Sequence, residues 1–215
     1  MIEINDAVEM LIAKRALMPD QQAMLVAISG IDGSGKGYIS GKIAAMLLQQ
    51  HLRIANINID GWLNLPKKRF SQTNPAEHFY RHALRFDELF AQLVFPLRDR
   101  RSICIEANYA EETATEYRKH IYNFEEIDVI LLEGIYLLKQ EFHSYYDLSL
   151  WVECSFETAL ERAIARSQES LPPDETINAY QTIYFPAQDI HFDRDQPKAA
   201  AIAMINNDPR LGCAT

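Results

Sequence analysis

Residues 30–41 hold five of the eight glycines in a chain of 215 residues, in the run Gly30-Ile31-Asp32-Gly33-Ser34-Gly35-Lys36-Gly37-Tyr38 with Gly41 close behind. Gly30-x-x-x-x-Gly35-Lys36 has the spacing of a loop that cradles phosphate. Glycines permit the positive φ angles that turn successive backbone N–H groups inward as a nest for phosphate oxygens. Lys36 would add its charge at the outer phosphates, and a helix starting there adds its N-terminal partial charge. At this composition the pattern is expected by chance only roughly 0.01 times in such a chain. The residues expected around phosphate are therefore Gly30, Asp32, Gly33, Ser34, Gly35, Lys36, Gly37 and Tyr38. The position after the lysine usually carries Ser or Thr, whose hydroxyl ligates magnesium. Here it is Gly37, so water or another residue must supply that oxygen.

Two acids stand where strand patterns end. Asp60 follows the strand candidate 53–59, and Glu133 follows 128–132. Ligands of an open α/β sheet sit off the carboxyl ends of its strands. Phosphoryl transfer to an alcohol needs one carboxylate to take the hydroxyl proton and another to hold magnesium or its waters. Asp60 is the expected base and, with Glu133, the expected metal shell; Lys36 and Asp60 are the expected catalytic pair.

The elements needed to position these groups follow from periodicity. Helical spacing covers 5–17, behind Asn5 or Asp6 as a cap, so residues 1–22 read as a helical extension. Residues 24–28 form a buried strand, 37–50 a helix, and Pro75 opens a long helix to about Leu93. Residues 102–106 and 148–152 are further strands, and 156–166 and 176–186 further helices. Such alternation argues for an α/β three-layer sandwich on a central parallel sheet, in one domain spanning 1–215. The segment about 162–180, loop-like at 167–175, reads as a short helical lid. The last residues, from Asp208, are expected to fray.

With these motifs placed, the chain resembles the uridine kinase branch of the P-loop kinases, which also contains phosphoribulokinase and bacterial pantothenate kinase. The resemblance covers roughly 24–208. It rests on the glycine loop, Asp60-Gly61-Trp62, Asn74-Pro75 opening a helix, Glu133-Gly134-Ile135, and the Tyr180…Pro186 helix. It implies a P-loop NTPase-type fold, ATP and magnesium as cofactors, and transfer to a ribose 5′-hydroxyl or another small alcohol, as in pyrimidine salvage. The family's aspartate base matches Asp60 and its Glu-Gly glutamate matches Glu133. Three departures fall in the nucleoside-recognition part. Leu63 replaces the second residue of an aromatic pair, the lid keeps only Arg162 and Arg166, and a base-recognising glutamine would fall on Ala179.

Smaller signals complete the candidate site. Arg118 resembles the family's substrate-side arginine, and Asn108 and Tyr109 could stack on or hydrogen-bond a base. Arg162 and Arg166 share a helix face and could clamp phosphate charge, or could pair with Glu161 or Glu169. Lys67-Lys68-Arg69 reads as a solvated basic loop. His78 and His82 share a face but have no evident third metal ligand.

The formal charge of −9 argues against nucleic acid or an anionic membrane as partner. No apolar run approaches the roughly 18 residues of a membrane span, and the N-terminus lacks a secretory signal. Three cysteines, Cys104, Cys154 and Cys213, share no motif spacing and read as reduced thiols in a cytoplasmic protein. The expected function is an ATP- and magnesium-dependent kinase acting on the 5′-hydroxyl of uridine or cytidine. The alternatives are the same fold acting on pantothenate, a ribulose phosphate, glycerate or nicotinamide riboside, and a non-catalytic nucleotide-binding regulator. The acidic Glu111-Glu112 loop fits a neutral nucleoside better than a phosphorylated acceptor. A homo-oligomer is left open.

Overall fold

The structure is a computed structural model that describes residues 1–166 and 171–212. The chain runs α1 (Ile4–Ala16), β1 (Met24–Gly30), α2 (Lys36–Gln49), β2 (Ile54–Asn58), α3 (Pro66–Arg69) and α4 (Pro75–His82). It continues with α5 (Phe86–Leu89), α6 (Phe95–Arg100), β3 (Ile103–Tyr109), β4 (Arg118–Phe124), β5 (Val129–Gly134) and β6 (Leu148–Glu153). The last third holds α7 (Phe156–Arg166), α8 (Pro173–Ala179), α9 (Phe185–Asp195) and β7 (Ala203–Asn206).

The central sheet has five strands in the order β2-β5-β1-β6-β7, all parallel. Successive side chains of a strand point to opposite faces, so each buried strand feeds two cores. Met24, Val26 and Ile28 of β1 join Val129 and Leu131 of β5 beneath α1 and α2. Leu25 and Ala27 join Ile130 and Leu132 on the other face, with Phe79, Phe90 and Tyr184 among the packed rings. The three-layer α/β sandwich expected from the sequence is the observed fold. The N-terminal helix is part of this packing: Ala7, Val8 and Leu11 are buried in the α2 core, and Ile2 N–H donates to Met204 O at 2.8 Å. Its cap is Glu3, in a reciprocal capping box with Asp6, and not the expected Asn5 or Asp6.

Four expectations change. The strand expected at 102–106 exists as β3 but does not join the central sheet; it pairs antiparallel with β4 in a separate hairpin. The fifth sheet strand is instead β7, whose short run Ala-Met-Ile-Asn carries little periodic signal. The long helix from Pro75 stops at His82, because Ala83 O accepts from Asn64 N–H and Arg85 N–H donates to Trp62 O, tying this break to the Asp60 corner. Asp208 does not fray: it is buried and accepts from the Ser155 N–H and hydroxyl, the Thr158 hydroxyl and the Arg210 N–H.

Residues 90–94 and 180–184 are both π-helical, and each leads directly into a Phe-Pro pair, Phe95-Pro96 and Phe185-Pro186. Proline lacks the N–H that the carbonyl four residues earlier needs, and a wider turn relieves the clash. The second widened turn carries Tyr180 and Tyr184 toward the site. Of the lid expected at about 162–180, residues 167–170 lie outside the described residues; α7 reaches Arg166 and α8 opens at Pro173. Cys213 also lies outside them. No helix among the described residues is long and apolar enough to cross a membrane.

Candidate active site

β1 is buried along its whole length and delivers the chain to the glycine loop at the centre of the sheet. Gly33 and Gly35 take φ +75° and +82°, the left-handed conformation that a side chain disfavours. Gly35 in that conformation is the N-cap of α2, so the loop feeds straight into a helix N-terminus. Lys36 is buried, with Nζ 3.4 Å from Ile31 O. The Ser34 hydroxyl is fully buried and has no hydrogen-bond partner in the structure. Buried hydroxyls are rarely left so, and an orphan donor inside a glycine nest fits a phosphate oxygen. Tyr38 points to the surface, with Lys42 Nζ 4.5 Å from its ring centre.

The loop is held from outside by residues distant in sequence. Arg162 Nη1 donates to Ser34 O at 3.1 Å and Nη2 to Asn207 O at 2.7 Å, while Asn207 Nδ2 donates to Ser34 O at 2.7 Å. Arg162, a candidate phosphate clamp, is thus tied to the loop itself. Its Nη1 and Nη2 bonds to backbone carbonyls buttress the loop, and Glu161 pairs with Arg210. Arg166 does face the site, 3.7 Å from Asp32, which also accepts a hydrogen bond from the Tyr180 hydroxyl. Burial pushes the Asp32 pKa up, but the Lys36 and Arg166 charges and the Tyr180 hydroxyl outweigh it and hold the carboxyl below its usual range.

Asp60 sits in the 3₁₀ turn Ile59–Gly61 that ends β2, its N–H capped by Asn58 Oδ1 at 2.7 Å. Burial raises its pKa, and the Lys36 charge opposes the shift. Glu133 closes β5, level with Asn58 of β2 and Ile28 of β1. It is buried, and desolvation pushes its carboxyl up to about 7, against Lys36 and reinforced by Asp60. Lys36, Asp60 and Glu133 thus sense one another electrostatically. A hard cation suits two such carboxyls, because it offsets the desolvation that raises both and the negative charge beside each, Asp32 for Asp60 and Asp60 for Glu133. Among the described residues no group of three or more His, Cys, Asp or Glu could hold a metal alone. Magnesium would therefore complete its shell with phosphate oxygens and water, as it commonly does. The His78 and His82 rings lie tilted to each other with centres 4.5 Å apart and belong to no such group.

The Asp60 corner is braced by Arg85, which sequence reasoning missed. Arg85 is buried and donates to Leu63 O, Gly61 O and Asn108 O at 3.2, 3.4 and 2.7 Å, and to Glu88 Oε2 at 2.7 Å. Its guanidinium also lies over Trp62 and Tyr117. The available signal was a lone arginine between Leu84 and Phe86.

Beside this corner lies a cavity of about 360 Å³. Leu63, Phe70, Phe79, Ile135, Ile183 and the Tyr184 ring make apolar walls, and Asp32, Asp60, Arg69, Glu112, Thr113 and Gln188 are the polar lining. Ala179 is in the same lining. Arg69, expected in a solvated loop, is buried here and donates to Glu112 O at 2.5 Å. The expected substrate residues Asn108, Tyr109 and Arg118 do not line the cavity. They lie on the β3–β4 hairpin, where the Tyr109 ring packs on Gly61 and Arg118 stacks 4.6 Å over that ring, paired with Glu111 at 2.6 Å.

Comparison with known proteins fits this geometry. The chain is 27% identical over 154 residues to a uridine kinase of Limosilactobacillus reuteri, covering 70% of this chain and 68% of that protein. The fold matches a possible uridine kinase from Bacillus stearothermophilus with a TM-score of 0.70 at 17% identity, over 95% of this chain and all of that one, 100%. It also matches the D-glycerate 3-kinase from Cryptococcus neoformans var. grubii, TM-score 0.69 at 10% identity, over 99% of this chain and 97% of that one. No family model matches the chain. The chain is thus similar in sequence to a uridine kinase and shares its fold with solved kinases of that type, in line with the sequence resemblance.

Proposed function

We propose that the protein is an ATP- and magnesium-dependent kinase of a small alcohol, with the 5′-hydroxyl of uridine or cytidine as the leading acceptor. The reading is carried by one observation: Asp60 and Glu133 stand at the carboxyl ends of the paired strands β2 and β5, beside the β1 that feeds the glycine loop, and Glu133 Oε1 lies against Gly37, next to Lys36. Binding and regulation alone require no carboxylate base, which favours catalysis. Asp60 lines the cavity and takes the proton from the acceptor hydroxyl there. A raised pKa brings a carboxylate nearer to the operating pH, where general-base catalysis is efficient. Lys36 sits in the loop to balance the phosphoryl charge, and Glu133, with Asp60, would hold the magnesium. Magnesium bound with ATP supplies charge neutralisation at the phosphates. Arg85 and Arg162 keep the corner and the loop in place. In this reading the protein works in the cytoplasm on a small-molecule acceptor.

The test is an ADP-release screen with magnesium over nucleosides, D-glycerate, pantothenate and simple alcohols, on wild type and Lys36→Ala. Acceptor-dependent ADP release is expected, falling on the order of a hundredfold or more in Lys36→Ala. Release that no acceptor stimulates, or that a folded Lys36→Ala retains, would overturn the kinase reading.

A further inference from the structure

Gln188 stands on α9 in the lining of the cavity that Asp60 shares, and it is only 1% exposed. Its amide Oε1 has no hydrogen-bond partner. A buried amide carbonyl left alone is costly, and natural cores rarely keep one without a use. Phe79, Ile183 and the Tyr184 ring, in the same lining, offer apolar surface for a ring. Ala179, on the preceding helix, brings no polar side chain to that lining.

Taking the phosphotransfer reading of this cavity as its basis, we propose that Gln188 selects the acceptor. The acceptor is a neutral, ring-bearing alcohol that places its hydroxyl at Asp60 and an N–H or O–H donor at Gln188 Oε1. Apolar walls hold a ring by area, whereas one well-placed polar group decides which ring is accepted. The charges of the lining agree. Asp32, Asp60 and Glu112 outnumber Arg69, and Arg69 already donates to the Glu112 carbonyl. Lys36 and Arg166 offset Asp32 and Asp60 at the phosphate end, so a carboxylate or phosphate on the acceptor would find little compensating charge on the Glu112 side of the lining, where Arg69 is already engaged. That disfavours hydroxy acids and phosphorylated sugars.

Binding is measured apart from turnover, by calorimetry with magnesium and a non-hydrolysable ATP analogue. The probes are uridine, 3-methyluridine (whose ring N–H is blocked) and D-glycerate. Uridine is expected to bind, 3-methyluridine on the order of tenfold or more weakly, and D-glycerate more weakly still. Gln188→Leu, of similar volume, should bring uridine down to the level of 3-methyluridine while leaving the ATP analogue unaffected. Should that variant not fold, the comparison of the two nucleosides on wild type decides alone. Equal binding of the two nucleosides, no uridine binding, or preference for D-glycerate overturns the assignment. Gln188-dependent uridine binding without acceptor-stimulated ADP release would leave it standing and overturn the phosphotransfer reading instead.

Discussion

A Cβ on Gly37 would lie 3.3 Å from Glu133 Oε1. The carboxylate of β5 therefore stands over the helix position where a P-loop usually presents a Ser or Thr hydroxyl to magnesium. A side chain at 37 would have to displace it by a few tenths of an ångström. Glycine at 37 and glutamate at 133 are thus one arrangement, and under the proposed function Glu133 would supply the oxygen that position 37 lacks. Glu133→Gln should raise the magnesium concentration needed for nucleotide binding roughly tenfold or more. Gly37→Ser should leave wild-type magnesium affinity unchanged or weaker, yet recover part of the loss in the Glu133→Gln background. Magnesium titrations of nucleotide binding on the four proteins decide this. A Gly37→Ser single variant that binds magnesium more tightly would refute it.

Asp60 separates proton transfer from substrate binding. A general base contributes typically 10²–10⁴-fold in the transition state, so its loss lowers kcat and kcat/KM together. Asp60→Asn keeps the shape and removes the proton acceptor. At saturating magnesium, kcat should fall at least about a hundredfold with ATP affinity retained within a few-fold. If only KM rises, Asp60 binds substrate without acting as base, and Glu133 is the next carboxylate to assay.

Arg85 reaches three backbone carbonyls from a buried position, so a change there should cost both stability and activity. Arg85→Lys keeps a charge but loses the planar fork, leaving buried carbonyls unpaired. A loss on the order of 3 kcal/mol by urea unfolding is expected, with a lower kcat because the Asp60 corner loosens. Wild-type stability in Arg85→Lys would show that the fork is dispensable.

Asp208 gives the chain an acid-sensitive joint. Burial raises its pKa, but hydrogen bonds from Ser155, Arg210 and Thr158 outweigh burial and hold it well below its ordinary value of 3.8. A carboxyl with a depressed folded-state pKa binds fewer protons folded than unfolded below that value. Its stabilisation is therefore complete above about pH 4 and is lost as the pH falls further. Asp208→Asn should cost about 1–2 kcal/mol at pH 7 and less at pH 3. Thermal melts at both values test it, and a difference between the two proteins that does not shrink at pH 3 counts against the assignment.

What could be read in the chain itself was whatever a short stretch encodes alone. The spacing of Gly30, Gly35 and Lys36 dictates a nest and a helix start, because φ freedom and helix polarity are local properties. Apolar runs of strand length ending at Asp60 and Glu133 placed both acids on one edge, because parallel strands bring their carboxyl ends together. The tertiary structure alone decided the rest, since it depends on which distant segments meet. That Arg162 also ties down the loop appears only when Ser34, 128 positions away in sequence, and Asn207 meet its guanidinium. The 102–106 strand looks like sheet until β4 pairs with it, and Asp208 looks like a frayed tail until Ser155 and Thr158 enclose it. The cavity beside Asp60 takes its walls from the α3 and α4 region, the loop after β5 and the widened turn before α9, so no window of sequence contains it. Local spacing fixes backbone shape within a few residues. Side-chain partners are chosen by packing, and packing exists only after the chain has crossed over itself.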